Sequence, residues 1–235
     1  MVMDRPYLVL GTRPWNRRVF EEVISRFPGT WRYFGGERPL TLEAAREVDP
    51  RCLFFLHWSS RVPREILVEY ECVAFHMTDL PYGRGGSPLQ NLISRGHRTT
   101  KLTAFRMVEE LDAGPIYLKE DLSLEGSAEE VYLRASELSA RMIRRFLEEK
   151  PAPAPQVGQP TVFKRRTPAE SIIPELGTLP RLFDFLRMLD AEGYPPAFLE
   201  HLGFRYEFSR AVLKDGRIVA DVAIRPAEGK EGRTQ

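Results

Sequence analysis

CVAFHMTDLPYGRGGSPLQ, residues 72–90, passes from an apolar run through a histidine into a turn-rich loop and then into a new apolar periodicity. Residues 72–75 read as a buried strand, because an unbroken apolar run leaves no polar face for water. Proline and glycine punctuate residues 80–86. Ser87 and Pro88 then supply an N-cap and a first-turn proline for a helix that turns Leu89, Leu92 and Ile93 inward. The reading places His76 at the carboxyl end of an interior strand, the edge at which open α/β sheets bind ligands. The loop meets a helix N-terminus, whose backbone amides favour an anionic or oxygen-rich group, although GRGGS lacks the lysine and spacing of a phosphate-binding P-loop.

The same alternation extends in both directions. Tyr7–Leu10 is a short strand closed by Gly11, after which Asn16 opens an amphipathic helix with Val19, Phe20, Val23, Ile24 and Phe27 inward. Trp31–Phe34 and Cys52–Leu56 are further strands, Leu42–Val48 a helix, and Pro63 starts a helix carrying Ile66, Leu67 and Tyr70. Downstream, residues 102–108 alternate like a strand, ELDAGPIYL turns at Asp112 and Gly114, and another strand leaves from Ile116. Ser127 and Glu130 form a capping box for a long helix with Val131, Ala135, Leu138, Met142 and Phe146 on its inner stripe. Strands alternating with helices predict an α/β, doubly wound, mainly parallel sheet.

Proline-rich EEKPAPAPQVGQP ends this pattern. It predicts a core over 1–150, a semi-rigid linker over 151–162 and a small C-terminal region over 163–235. That region holds a helix with Leu182, Phe185, Leu186 and Leu189 and a β-hairpin, 206–213 and 217–224, around Asp215-Gly216. The apolar content at Phe198, Leu199, Leu202 and Phe204 fits either packing of the tail or a homodimer interface.

Composition narrows the class. With 34 Lys plus Arg against 33 Asp plus Glu, the net charge of +1 carries no electrostatic footprint for nucleic acid. The two cysteines, Cys52 and Cys72, lie in apolar runs as free thiols do, which suits a reducing cytoplasm. The N-terminal apolar run is too short for a signal peptide, and no stretch approaches a membrane span. Cys72 and His76 have no second pair of metal ligands, so no metal is expected.

From about residue 52 to 120 the chain resembles the folate-dependent formyltransferases, which act on methionyl-tRNA, glycinamide ribonucleotide or amino sugars. The resemblance rests on His76, on LPYGRGGSPLQ, and on LDAGPI, which looks like the loop bearing that family's aspartate; LHWSSRVPREIL (56–67) and FKRRTPAES (163–171) add to it. It implies a Rossmann-type core and N10-formyltetrahydrofolate as formyl donor. It also implies that His76 and Asp112 assist proton transfer through a tetrahedral adduct. His57, Trp58, Ser59, Val62, Leu111, Ala113 and Gly114 would bind the cofactor, and Arg13, Arg84, Gly85 and Gly86 the acceptor. Taken alone, Arg84 is equally a solvated loop charge.

One position departs from the family. Two residues before the histidine it has an asparagine whose amide supports the oxyanion, and here Ala74 stands there. Thr78, Thr103, His57 and Asn91 are candidate replacements, Thr78 being nearest in sequence. The tail resembles those of sugar enzymes, so the expected acceptor is a nucleotide-linked amino sugar, with nucleic acid and membrane not favoured as partners. The alternatives are a methionyl-tRNA acceptor or a catalytically impaired folate-binding paralogue.

Overall fold

In the computed structural model, residues 5–227 are described. The chain forms two compact units, one from residues up to Pro88 with Thr99–Leu122 and Tyr132–Phe163, the other from Leu89–Arg98, Ser123–Val131 and the residues from Lys164 onward. Besides its long stretch from Lys164, the second unit takes two short pieces from the preceding chain. The proline-rich run belongs to the first unit.

The first unit is built on a sheet whose strands are β1 (Tyr7–Leu10), β2 (Trp31–Phe34), β3 (Cys52–Leu56), β4 (Cys72–His76), β6 (Thr99–Arg106) and β7 (Ile116–Ser123), with the two-residue β5 (Arg84–Gly85) outside it. Its order is β2-β1-β3-β4-β6-β7. Strands β2, β1, β3 and β4 run parallel, and β6 joins β4 antiparallel, pairing His76 with Thr103. The sheet is thus mixed, as mainly parallel sheets with a reversed edge often are.

Four helices follow in this half of the chain, α1 (Pro14–Glu22), α2 (Leu42–Val48), α3 (Arg64–Glu69) and α4 (Pro88–Ser94), and a long α5 (Ala128–Glu149) comes after β7. Side chains alternate across a strand. On one face Leu8, Leu10, Leu53, Phe55 and Cys72 pack with Ala45 of α2 and Ile66 of α3. On the other, Tyr7 stacks on Trp31 at 4.6 Å and Phe146 of α5 meets Phe54 edge-on at 5.6 Å. Both faces being covered explains why β3 is apolar throughout, each fully buried Leu or Phe contributing ~1.5–3 kcal/mol. The capping box of α5 is present, Ser127 N–H donating to Glu130 Oε2 at 2.7 Å.

Asn16 has a different place from the expected one. Helix α1 begins at Pro14, and Asn16 sits buried in its first turn, donating from Nδ2 to Ser136 Oγ of α5 at 3.0 Å. Its amide joins two helices, while its Oδ1 accepts the Arg13 backbone N–H at 3.4 Å where α1 begins. Ser87 likewise lies at φ +50°, outside the extended backbone of an N-cap, although the helix starts at Pro88 as read.

The second unit carries α6 (Leu179–Arg187) and a three-stranded sheet of order β11-β10-β9, from β9 (Ala197–His201), β10 (Phe204–Lys214) and β11 (Arg217–Pro226). The hairpin turns at Asp215-Gly216 with both residues at positive φ, as a type I′ turn requires. Strand β9 went unread because Gly193, Pro195 and Pro196 precede it. The residues grouped as an apolar patch separate: Phe198 is buried under the Arg205 guanidinium, 3.4 Å from its ring centre, whereas Leu202 is 81% exposed in the β9–β10 turn. No helix among the described residues is long and apolar enough to cross a membrane.

Burial raises the Cys52 thiol well above its ordinary pKa and lifts Cys72 to about 12. Both stay protonated near neutrality, and the thiolate is the reactive form. A thiol reagent at pH 8 is expected to label neither cysteine in the folded protein and both in denaturant; rapid native labelling would contradict the burial of β3 and β4.

Candidate active site

His76 closes β4, so the strand's alternation aims its ring to the same face as Ala74. The chain then loops back, and Gly83 O lies 2.7 Å from His76 Nε2. A carbonyl only accepts, so Nε2 carries the proton and Nδ1 is the basic atom of the neutral ring. Nδ1 faces Asp112 Oδ2 at 3.8 Å. That separation is too long for a direct hydrogen bond and leaves the two groups side by side.

Asp112 comes from the β6–β7 connection and sits at φ +51°, a left-handed conformation uncommon for a residue with a Cβ. Its Oδ2 accepts the Gly85 backbone N–H at 2.8 Å. Two residues on, Gly114 cannot be larger: a Cβ there would stand 1.7 Å from Arg106 O. The loop thus closes tightly between the ends of β6 and β7.

The proline-rich segment is part of this structure. Strand β8 (Val162–Phe163) pairs in parallel with β5. Arg84 N–H donates to Thr161 O at 2.9 Å and Gly86 N–H to Phe163 O at 3.1 Å. Gly85 is the residue this approach demands, since a Cβ would lie 2.5 Å from Phe163 O. Ala154 exchanges backbone bonds with Ile116.

These contacts change the expected role of the GRGGS loop. The backbone donors of Arg84, Gly85 and Gly86 all serve the protein itself, and the anion received is the Asp112 carboxylate. The Arg84 side chain, 16% exposed, donates to Gln156 Oε1 and to Glu110. The donors of Arg84, Gly85 and Gly86 thus tie the loop to its neighbours. Thr78 is fully buried with its hydroxyl directed at Gly83 O, 3.4 Å away, and Thr103 gives its proton to Thr78 O at 2.6 Å.

The other candidate donors are placed elsewhere. His57, at φ +49° just past β3, has its ring 4.4 Å from that of Tyr132 and 5.8 Å from that of Trp15. Asn91 spends its amide on Lys164 O. Ala74 packs with Trp58 and Met107 against the apolar cluster that contains Val62. Of the expected cofactor-binding residues, Trp58 is half-buried, Val62 buried, Ser59 exposed, Ala113 half-buried and Leu111 67% exposed beside Asp112. An ion pair from Arg64 to Glu109, 3.4 Å, links the start of α3 to the Asp112 loop. Arg13 flanks α1 at its N-cap. No group of three His, Cys, Asp or Glu among the described residues is placed to hold a metal ion. Gln156, Glu110 and Phe163 went unread; the segment's proline content spoke for a spacer, and no local pattern marks an extended strand that pairs with a loop far back in the chain.

A strand-end histidine and a loop aspartate are thus brought together at one edge of a doubly wound α/β sheet. Known proteins share that arrangement of chain. A solved methionyl-tRNA formyltransferase from Clostridium thermocellum superposes with a TM-score of 0.87 at 43% identity, over 94% of this chain and 99% of that one. The chain therefore belongs to the formyltransferase family. A model of the methionyl-tRNA formyltransferase C-terminal domain matches residues 168–225. Methionyl-tRNA formyltransferase of Rickettsia prowazekii (strain Madrid E) is 32% identical over 145 residues, 60% of this chain and 46% of that protein, so the chain spans about half the length of the curated relatives it matches. HypX from Aquifex aeolicus, solved in complex with tetrahydrofolic acid, has the same fold at 20% identity and a TM-score of 0.71, over 89% of this chain and 38% of that one.

Gly114→Ala is expected to cost ~1–3 kcal/mol, the usual penalty of forcing atoms into filled space, and to displace Asp112. Urea unfolding with a wild-type midpoint would show that the β6–β7 loop is looser than its geometry.

Proposed function

We propose that the chain is an N10-formyltetrahydrofolate-dependent formyltransferase that acts on the amine of an aminoacyl-tRNA of the methionyl type. The observation that carries the activity is the pairing of His76 Nδ1 with Asp112 Oδ2 at 3.8 Å while Nε2–H is fixed on Gly83 O. One basic nitrogen is thereby aimed and given a counter-charge. The bound folate would supply the formyl carbon that the amine attacks. His76 Nδ1 takes a proton from the amine as the new C–N bond forms and returns it toward the leaving nitrogen, with Asp112 stabilising the imidazolium between the two transfers. Leu111, 67% exposed beside Asp112, and the half-buried Trp58 offer apolar surface of the kind that a flat heteroaromatic ring covers.

The acceptor departs from the amino sugar expected from the tail. Residues 168–225, which contain the tail helix and hairpin behind that expectation, match the C-terminal domain model of methionyl-tRNA formyltransferase, and the relatives reported above at 32% and 43% identity carry that name. The near-neutral charge, +1, gives little general attraction to RNA, so recognition would rest on local contacts.

Ala74 sets the rate. It shares a strand face with His76 and offers only a methyl, while the nearby threonine hydroxyls are enclosed. A missing oxyanion donor commonly costs ~10²–10³-fold in kcat, so slow turnover follows.

Tetrahydrofolate release from the formyl donor is expected on adding methionyl-tRNA, not uncharged tRNA, and is expected to vanish in His76→Ala. Release only with nucleotide-linked amino sugars would restore the sugar acceptor, and folate binding without release on any acceptor would make the chain a silent paralogue. Ala74→Asn, which sets an amide beside His76, is expected to raise kcat at least ~10-fold; an unchanged kcat would mean that another donor already serves the oxyanion.

A further inference from the structure

Gln156 projects from the proline-rich segment, and every hydrogen-bonding position of its amide is used. Nε2 donates to Asp112 O at 2.8 Å and to Gly114 O at 2.9 Å. Oε1 accepts from Arg84 Nε at 3.1 Å and Nη2 at 2.9 Å. The orientation of the amide is fixed by its partners, since carbonyls only accept and a guanidinium only donates. Arg84 in turn reaches Glu110 at 3.0 Å from Nη1.

One side chain thus joins the two loops that carry the proposed chemistry. Gly83, whose carbonyl fixes the His76 tautomer, precedes Arg84, and Asp112 and Gly114 bracket the aspartate loop. The backbone of Asp112 lies in the left-handed region at φ +51°, a conformation that persists where surrounding bonds hold it. The direct link between the loops is the Gly85 N–H to Asp112 Oδ2 bond. Gln156 supplies the brace behind it, on the main chain of the aspartate rather than on its carboxylate.

We infer that Gln156 is a positioning residue for the His76–Asp112 pair, acting by holding the Asp112 main chain against the Arg84 loop. This rests on the formyltransferase reading above. Gln156 touches neither His76 nor the Asp112 carboxylate, so its effect belongs in the chemical step rather than in donor binding. A role confined to tethering the proline-rich segment would lower stability and leave kcat alone.

The test uses Gln156→Leu, which removes all four bonds, and Gln156→Glu, which keeps length and an acceptor for Arg84 but has no donors when ionised. Both are expected to lower kcat ~10- to 100-fold, as misplacing a reacting group does, with KM for the folate donor within about threefold. Backbone hydrogen exchange over residues 110–115 is expected to rise in both while the sheet amides stay protected. Wild-type kcat in Gln156→Glu, or a loss of stability with kcat unchanged, would overturn the inference. If the wild type itself transfers no formyl group, the functional reading fails separately, and unchanged exchange over 110–115 in the two variants would then overturn the positioning role without reference to activity.

Discussion

The 2.8 Å bond from the Gly85 N–H to the Asp112 carboxylate joins loops 27 residues apart, and the geometry of the site depends on it. A backbone amide given to a carboxylate is a charge-assisted bond, worth ~1.5–3 kcal/mol net where water is partly excluded. For that amide to point at Asp112, the chain at Gly85 must run against Phe163, which leaves no room for a Cβ. The glycines of this loop answer a packing demand from the proline-rich segment.

Fixing the carboxylate in this way separates its oxygen from His76 Nδ1 by 3.8 Å rather than by hydrogen-bond length. The imidazole is oriented instead from its other side, by Gly83 O at 2.7 Å. Orientation and charge support therefore come from different groups. Nδ1 of the neutral ring keeps its lone pair, with the carboxylate beside it. Ala74, two residues back on the same strand, offers this pair a methyl and no side-chain donor.

The proline-rich segment shows how composition can mislead about role. Proline favours extended backbone and keeps its carbonyl as an acceptor. Between Pro151 and Pro160 the chain uses that extension to lie along the domain, with Ala154 bonded to Ile116 and Thr161 N–H donating to Pro81 O. A stretch whose composition fits a spacer is held along the domain, because its polar groups find partners on neighbouring loop and strand ends.

The amino-acid sequence by itself determined the alternation of elements and the position of His76. β1, β2, β3 and α2 appear with the bounds read from them, and β4 extends its apolar run by one residue to include the histidine. That information is local, since burial of one or both faces of an element writes itself into residues two to four apart. Only the tertiary structure decided that Thr78 and Thr103 are enclosed, that Asn16 spans to Ser136, and that Arg84 donates to Gln156. These outcomes depend on partners as far as 120 positions away. A polar side chain's propensity does not name its partner; the closure of the fold brings donor and acceptor within reach and so decides which groups remain for chemistry.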